Sequence, residues 1–405
     1  MKNFPRLFSL LVFLCLPALD VIADPSSKPL KIFILAGQSN MQGHARVDTI
    51  DAMALDPKTA ELGKKMKEED GSFRVCERVW ISSIGSSDTE KTGKLTIGYG
   101  PSQRGPKIGP EFAFGITMEE LLPDHPILII KTAWGGKSLH TDFRPPSAPP
   151  YEFNESQLDT FKKQGKDIDE IRESKAEASG QYYKLMLDHV KSVLSDPKRV
   201  YPDYNPEVGF EVAGFVWFQG WNDMVDRGTY PNREQPGGYD SYSKLMAQFI
   251  RDIRNDLEVP EMPFVIGVLG VNGPTKLYGP DQQRHVSVHQ NFRDAMAAPA
   301  ALPEFKGNVT AVLTEEYWDL EVSALRKQEQ EIKRQEKKLK EEGKLGRAAL
   351  SSAVEKLYTK TFNEEELDLL RNSVSNAEYH YLGSARILGP IGEGFAEAMV
   401  EMLRD

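Results

Sequence analysis

The run Lys31-Ile32-Phe33-Ile34-Leu35-Ala36-Gly37-Gln38-Ser39-Asn40-Met41 passes without a break from consecutive apolar residues into Gly-Gln-Ser-Asn. Apolar residues at successive positions, rather than alternate ones, fit a strand covered on both faces, as in a parallel sheet. Five further runs of this kind follow, at Arg78–Ser82, Pro126–Thr132, Val212–Phe218, Phe264–Leu269 and Val309–Leu313. Between them stand segments with helical spacing, among them Pro110–Leu122, Gln181–Leu194, Tyr239–Leu257 and Val286–Ala298. This alternation predicts an α/β fold, a three-layer α/β/α sandwich around a central parallel sheet with functional groups at the carboxyl ends of its strands.

The strand ends carry the chemistry. Ser39 follows the first strand on a turn preceded by glycine, a placement that exposes a hydroxyl at the sheet rim. On this pentapeptide alone an ordinary helix N-cap is an equal reading. The third strand ends in Ala133-Trp134-Gly135-Gly136-Lys137-Ser138, where paired glycines let backbone N–H groups approach a ligand. The fourth ends in Gln219-Gly220-Trp221-Asn222-Asp223, which brings side-chain amides to the same edge. His380, in Ala377-Glu378-Tyr379-His380-Tyr381, precedes a closing helix. A nucleophile, a base, an acid to orient the base and several N–H donors are the set that acyl transfer requires.

These four blocks, in this order, resemble the conserved blocks of SGNH hydrolases, and most of all the sialate O-acetylesterase and acetylxylan-esterase-like branch, carbohydrate esterase family 6. The resemblance covers Lys31 to Leu313 and Tyr379 to Leu403 and implies a flavodoxin-like SGNH hydrolase fold. It also implies Ser39 as nucleophile, Gly135 or Gly136 and Asn222 as oxyanion donors, and His380 as general base. Gln38, Asn40, Trp134, Gln219 and Trp221 would contact substrate. Where the superfamily usually has aspartate three residues before the histidine, this chain has Ala377; where the branch usually has glutamate after Gln-Gly, it has Trp221. Glu378 is the nearest candidate for the orienting acid, with Asp223, or no acid at all, as alternatives. The activity implied is removal of short acyl groups, chiefly O-acetyl, from a carbohydrate by a carboxylic ester hydrolase, with no metal and no cofactor. A non-catalytic carbohydrate-binding protein on the same scaffold is the alternative.

Composition agrees with a folded chain. The 405 residues are 40% hydrophobic and 27% charged, with net charge −10. An acidic chain without an unbalanced basic block does not point to a nucleic-acid partner, which needs uncompensated Lys and Arg. Lys2 and Arg6 precede the apolar run Leu7–Leu16, and Val21-Ile22-Ala23 has the small residues of a cleavage site. Residues 1–23 are therefore expected to be a signal peptide, leaving a secreted or periplasmic protein with no membrane association after cleavage and one cysteine, Cys76.

Residues 28–405 are expected to form a single domain with helical insertions at about 152–180 and 321–372. In Arg326–Glu342, seven basic and five acidic residues surround a seven-residue apolar repeat at Leu325, Ile332 and Leu339. A solvated helix packed along one edge is favoured over a coiled-coil contact. Asn363 and Glu366 form a capping box for a further helix, Glu364–Arg371. Gly136-Lys137-Ser138 imitates the end of a phosphate loop but lacks its first glycine, Lys131 standing there. His285 and His289 lie four apart without a third metal ligand. His44 and His140 sit just behind the first two blocks, where they would line the pocket or lie in a solvated loop.

Overall fold

The computed structural model describes residues 28–404; the expected signal peptide lies outside these residues. Its strands are β1 (Leu30–Gly37), β2 (Ala45–Arg46), β3 (Val79–Gly85), β4 (Lys91–Lys94), β5 (Lys107–Ile108), β6 (Ile127–Ala133), β7 (Phe210–Phe218), β8 (Phe264–Val268) and β9 (Val309–Leu313). Seven of them form one sheet in the order β4-β3-β6-β1-β7-β8-β9, and β2 with β5 makes a separate two-residue ribbon. All neighbours in the large sheet run parallel except the edge pair β3 and β4. The fold is thus the expected α/β sandwich. The strand β4 is an addition to the expectation: Lys91-Thr92-Gly93-Lys94 is mostly exposed and offers no apolar run to read.

Side chains alternate across β7 and divide between two helical layers, as pleating requires. Phe215 and Trp217 pack against Phe249 of the helix Asp240–Asp256, at 5.9 and 4.5 Å between ring centroids. Phe218, on the opposite face, packs against Phe395 of the closing helix Ala385–Arg404. On that second face the helix Pro110–Leu121 lies beside the closing helix, and Phe114 meets Phe33 of β1 at 5.8 Å. Both faces of β1 are thereby covered, which is why its apolar residues are consecutive.

Register aligns the rim. Gly37 pairs with Ala133 of β6 and with Phe218 of β7, while Gly85 of β3 also pairs with Ala133. Four strands therefore end level, and the segments that follow them emerge side by side.

The first insertion folds as the helices Glu155–Lys163 and Ile168–Ala178, neither with a buried residue. The second forms helices Leu320–Glu342, Arg347–Thr361 and Glu364–Ser373, and the Asn363–Glu366 capping box is made in both directions. Leu325 and Ile332 are buried within the same chain, against the neighbouring insertion helices. No helix among the described residues is long and apolar enough to cross a membrane.

Candidate active site

Gly37 makes the turn after β1 possible. Its φ is +156°, and a Cβ built there would lie 2.2 Å from the carbonyl oxygen of Phe218. Beyond it Ser39–Gln42 forms one helical turn, and Ser39 is 7% exposed. Among the described residues the Ser39 hydroxyl takes no hydrogen-bond partner.

The second block arrives next to it. A Cβ on Gly135 would stand 3.9 Å from Cβ of Ser39 and 3.7 Å from both Gln42 Oε1 and Ser86 Oγ. The Gly135 N–H donates to Ser86 Oγ at 3.2 Å, so a ligand oxygen would have to take that serine's place. Gly136 has φ +75°, a left-handed conformation that a side chain would disfavour. Trp134 is 3% exposed and packs edge-on against Tyr182, which makes it support for the loop rather than a sugar platform.

Gln38 and Gln219, expected to touch substrate, are instead 1% and 0% exposed. Gln38 Oε1 accepts from Gln219 Nε2 and from the Gly220 N–H, both at 3.2 Å, locking the turns after β1 and β7 together. Asn40 is also buried, and its amide has no partner among the described residues. Asn222 and Trp221 stand half-buried on the short helix Trp221–Val225. Trp221 faces Tyr379 at 5.6 Å; Tyr379, 42% exposed, is an aromatic group of the rim that the sequence reading did not single out for substrate.

His380 lies on a tight turn, Glu378–Gly383, that packs on the Ser39–Gln42 turn. Tyr381, Leu382 and Gly383 have φ of 54°, 60° and 56°, and the first two carry Cβ atoms that strain this conformation. Tyr381 anchors the turn. It is fully buried; its hydroxyl accepts from the Gly270 N–H at 2.8 Å and lies 2.6 Å from Thr314 Oγ1. The His380 ring stacks on His44 with centroids 3.9 Å apart and planes 2° from parallel. Burial pushes His380 down to about 4, with Lys107 adding repulsion, and burial pushes His44 down to about 3, helped by His380, Lys107 and Lys131. Both rings are therefore neutral at pH 7, as a general base must be.

Neither expected carboxylate reaches His380. Glu378 turns to Arg326 at 3.4 Å and to Gln330, because the turn sends residue 378 outward toward the charged helix. Asp223 is 0% exposed and accepts from the N–H groups of Leu139 and His140, from Gln219 Nε2 and from the Tyr230 hydroxyl, which fixes the second block to the third. The polar partner of the imidazole is Asn376, whose Oδ1 lies 3.1 Å from His380 Nδ1. A search confined to carboxylates could not have found it.

Other clusters are spent on structure. Ser82 Oγ donates to Glu90 at 2.6 Å and lies 2.9 Å from His189 Nε2, but this serine is 0% exposed in the middle of β3. His140 is tied to Asp226 and Thr141, and His289 to Tyr278. Among the described residues no group of three or more His, Cys, Asp or Glu is arranged to hold a metal. A cavity of about 420 Å³ lined by Gln42, Ser86, Glu90, Lys91, Tyr99 and Gln103, with others, opens beside Gly135. A second cavity, of about 1020 Å³, lies between the Pro145–Phe153 loop and the first insertion and contains none of the four blocks.

Comparison with known proteins identifies the family. Residues 29–303 match the family model for carbohydrate esterase, sialic acid-specific acetylesterase. No curated protein matches the chain. Among solved structures, a protein from Arabidopsis thaliana is similar at 16% identity and TM-score 0.36, over 71% of this chain and 86% of that one. A carbohydrate acetylesterase from Xanthomonas citri is similar at 13% identity and TM-score 0.36, over 70% of this chain and 49% of that one. The family match spans more than half of the sequence and includes the first three blocks, so the chain belongs to the carbohydrate esterase family of sialic acid-specific acetylesterases.

Proposed function

We propose that the protein is a secreted serine esterase that removes O-acetyl groups from a carbohydrate through an acyl-enzyme. The observation that carries this reading is the meeting of a partner-free Ser39 hydroxyl, the Gly135 backbone and a neutral His380 at one sheet rim. His380 accepts the Ser39 proton as the oxygen attacks the acetyl carbonyl, and the developing oxyanion is held by the N–H groups of Ser39 and Gly135 and by the Asn222 amide. Collapse of the tetrahedral intermediate expels the sugar alkoxide, which takes the proton from His380. Water, deprotonated by the same imidazole, then releases acetate and restores Ser39. The Trp221 and Tyr379 rings offer an apolar face for the sugar ring, and Ser86, Glu90, Lys91 and Gln103 in the lining of the cavity next to the Gly135 turn offer it hydroxyl partners. The family description supports sialic acid among acetylated sugars, and the leader expected at residues 1–23 supports an extracytoplasmic glycan.

The test is hydrolysis of p-nitrophenyl acetate and release of acetate from O-acetylated glycans by the purified protein. Turnover that disappears in Ser39→Ala and His380→Ala, both still folded, is the expected result. Glycan binding without any ester turnover would replace the esterase with a binding protein.

A further inference from the structure

The partner of His380 is an amide with two distinct ends, and its orientation can be deduced. Asn376 Oδ1 lies 2.8 Å from the Ala377 backbone nitrogen, whose N–H can only donate, so the atom there is the amide oxygen. The same oxygen lies 3.1 Å from His380 Nδ1, and since a carbonyl oxygen carries no hydrogen, Nδ1 must. A neutral imidazole protonated on Nδ1 keeps its lone pair on Nε2. The other end of the amide, Nδ2, faces His44 Nδ1 at 3.5 Å, and an amide nitrogen presents hydrogens, so this contact calls for a lone pair on His44 Nδ1. Asn376 itself is held by its N–H to Leu382 O at 2.9 Å, and its neighbour Ser375 hydrogen-bonds with Arg46 N, His44 O and Gly383 O.

Resting on the reading of His380 as the base, we propose that Asn376 is its positioning residue: the amide places the His380 proton on Nδ1, frees Nε2 for Ser39, and gives the stacked His44 the opposite tautomer. A carboxylate would serve His380 but would offer only acceptors to His44. An amide is the side chain that accepts from one ring while donating to the other, which explains asparagine here in place of an acid. The charged groups around the pair agree. Lys107 and Lys131 oppose protonation of the rings, Glu378 is engaged by Arg326 and Gln330, and among the described residues no carboxylate pairs with either imidazole.

The experiment is long-range proton–nitrogen NMR on the whole protein labelled with ¹⁵N-histidine, with His380 and His44 assigned through His380→Gln and His44→Gln. At pH 7 the wild type is expected to show His380 protonated on Nδ1 and His44 on Nε2. Asn376→Ala should leave His380 a mixture of tautomers and lower kcat by at least about tenfold with little change in KM. Asn376→Asp should keep the Nδ1 proton of His380, turn His44 to its Nδ1–H form, restore most of kcat, and raise the acidic limb of the kcat/KM profile by about one pH unit. A wild-type His380 protonated on Nε2, or histidine signals that do not move in Asn376→Ala, would overturn the proposal. The tautomer readout needs no turnover, so the expected tautomers in a protein that cleaves no ester would sustain the assignment and remove only the esterase reading.

Discussion

His380 is a residue whose position is determined by its neighbours' conformations rather than by its own side chain. Two consecutive non-glycine residues after it, Tyr381 and Leu382, occupy the left-handed region, and such strain persists only where packing over-determines it. The buried Tyr381, bonded to Gly270 and close to Thr314, supplies that packing. The consequence is a half-buried ring stacked on His44, whose protonation burial opposes well into acid. With His380 as the proposed base, the kcat/KM profile for an acetyl ester is expected to stay flat from pH 7 toward 5 and to reach half its value at about 4, since a base must be unprotonated to act and burial holds this ring at about 4. A midpoint near the ordinary 6.5 would mean that the imidazole is open to water. That Ser39 and His380 stand at the same sheet rim was legible in the sequence, because each sits at a defined distance from an unmistakable strand or helix. Asn376 was not, since nothing in Ser375-Asn376-Ala377 distinguishes a ligand of histidine from a loop asparagine, and a left-handed turn over Tyr-Leu is not written in any propensity. Gln38 and Gln219 misled for a related reason. Amides at strand ends usually meet solvent, but these two meet each other across β1 and β7 and are satisfied while buried.

At the scale of elements, the Ser39–Gln42 turn is braced from beneath by a buried ion pair. Lys131 of β6 and Glu111 of the helix Pro110–Leu121 are 1% and 0% exposed and stand 2.7 Å apart. Burial presses the Lys131 amine downward while Glu111 holds it up. The same amine donates to the carbonyl of Gln42, the last residue of the Ser39 turn, at 2.9 Å, and to that of Tyr99 at 3.2 Å. Lys131→Met is expected to leave a lone carboxylate in the core and two carbonyls unpaired, costing about 3–5 kcal/mol in urea unfolding. A loss under 1 kcal/mol would show that water had been solvating the pair. Within Pro126–Thr132 the lysine looks like an anomaly in an apolar strand, and only the three-dimensional partner explains it. The parallel strands themselves were read from sequence to within three residues at each end, because burial on both faces writes an apolar run. The edge strand β4 escaped, since one exposed antiparallel neighbour demands no such run.

Across the whole molecule, charge is densest in the helical insertions, and the buried titratable groups make the fold acid-sensitive. Leu325 and Ile332 of the charged helix are consumed by intramolecular packing, so the seven-residue repeat serves the chain itself, and Arg326 from that helix reaches back to Glu378 on the His380 turn. The insertion thus abuts the rear of the site. Three histidines are held neutral by burial at two places: His44 at about 3 with His380 at about 4 stacked on it, and His289 at about 3, against 6.5 for the free side chain. Each pKa is lowered by folding, so the unfolded chain binds more protons below 6.5, and stability must fall as pH drops from 6.5 until the folded-state values are passed. Paired carboxylates such as Glu90 and Glu329, whose pKa values lie below the usual range despite burial, add losses of the same sign at lower pH. His289, bonded to Tyr278 and outside the four sequence blocks, reports one histidine's contribution. In His289→Gln, unfolding free energy measured between pH 6.5 and 4 should decline less steeply than in the wild type, by up to about 1.4 kcal/mol per pH unit. Parallel curves for the two proteins would show that this imidazole protonates in the folded state as readily as in the unfolded one, and that the acid lability lies in the other buried groups.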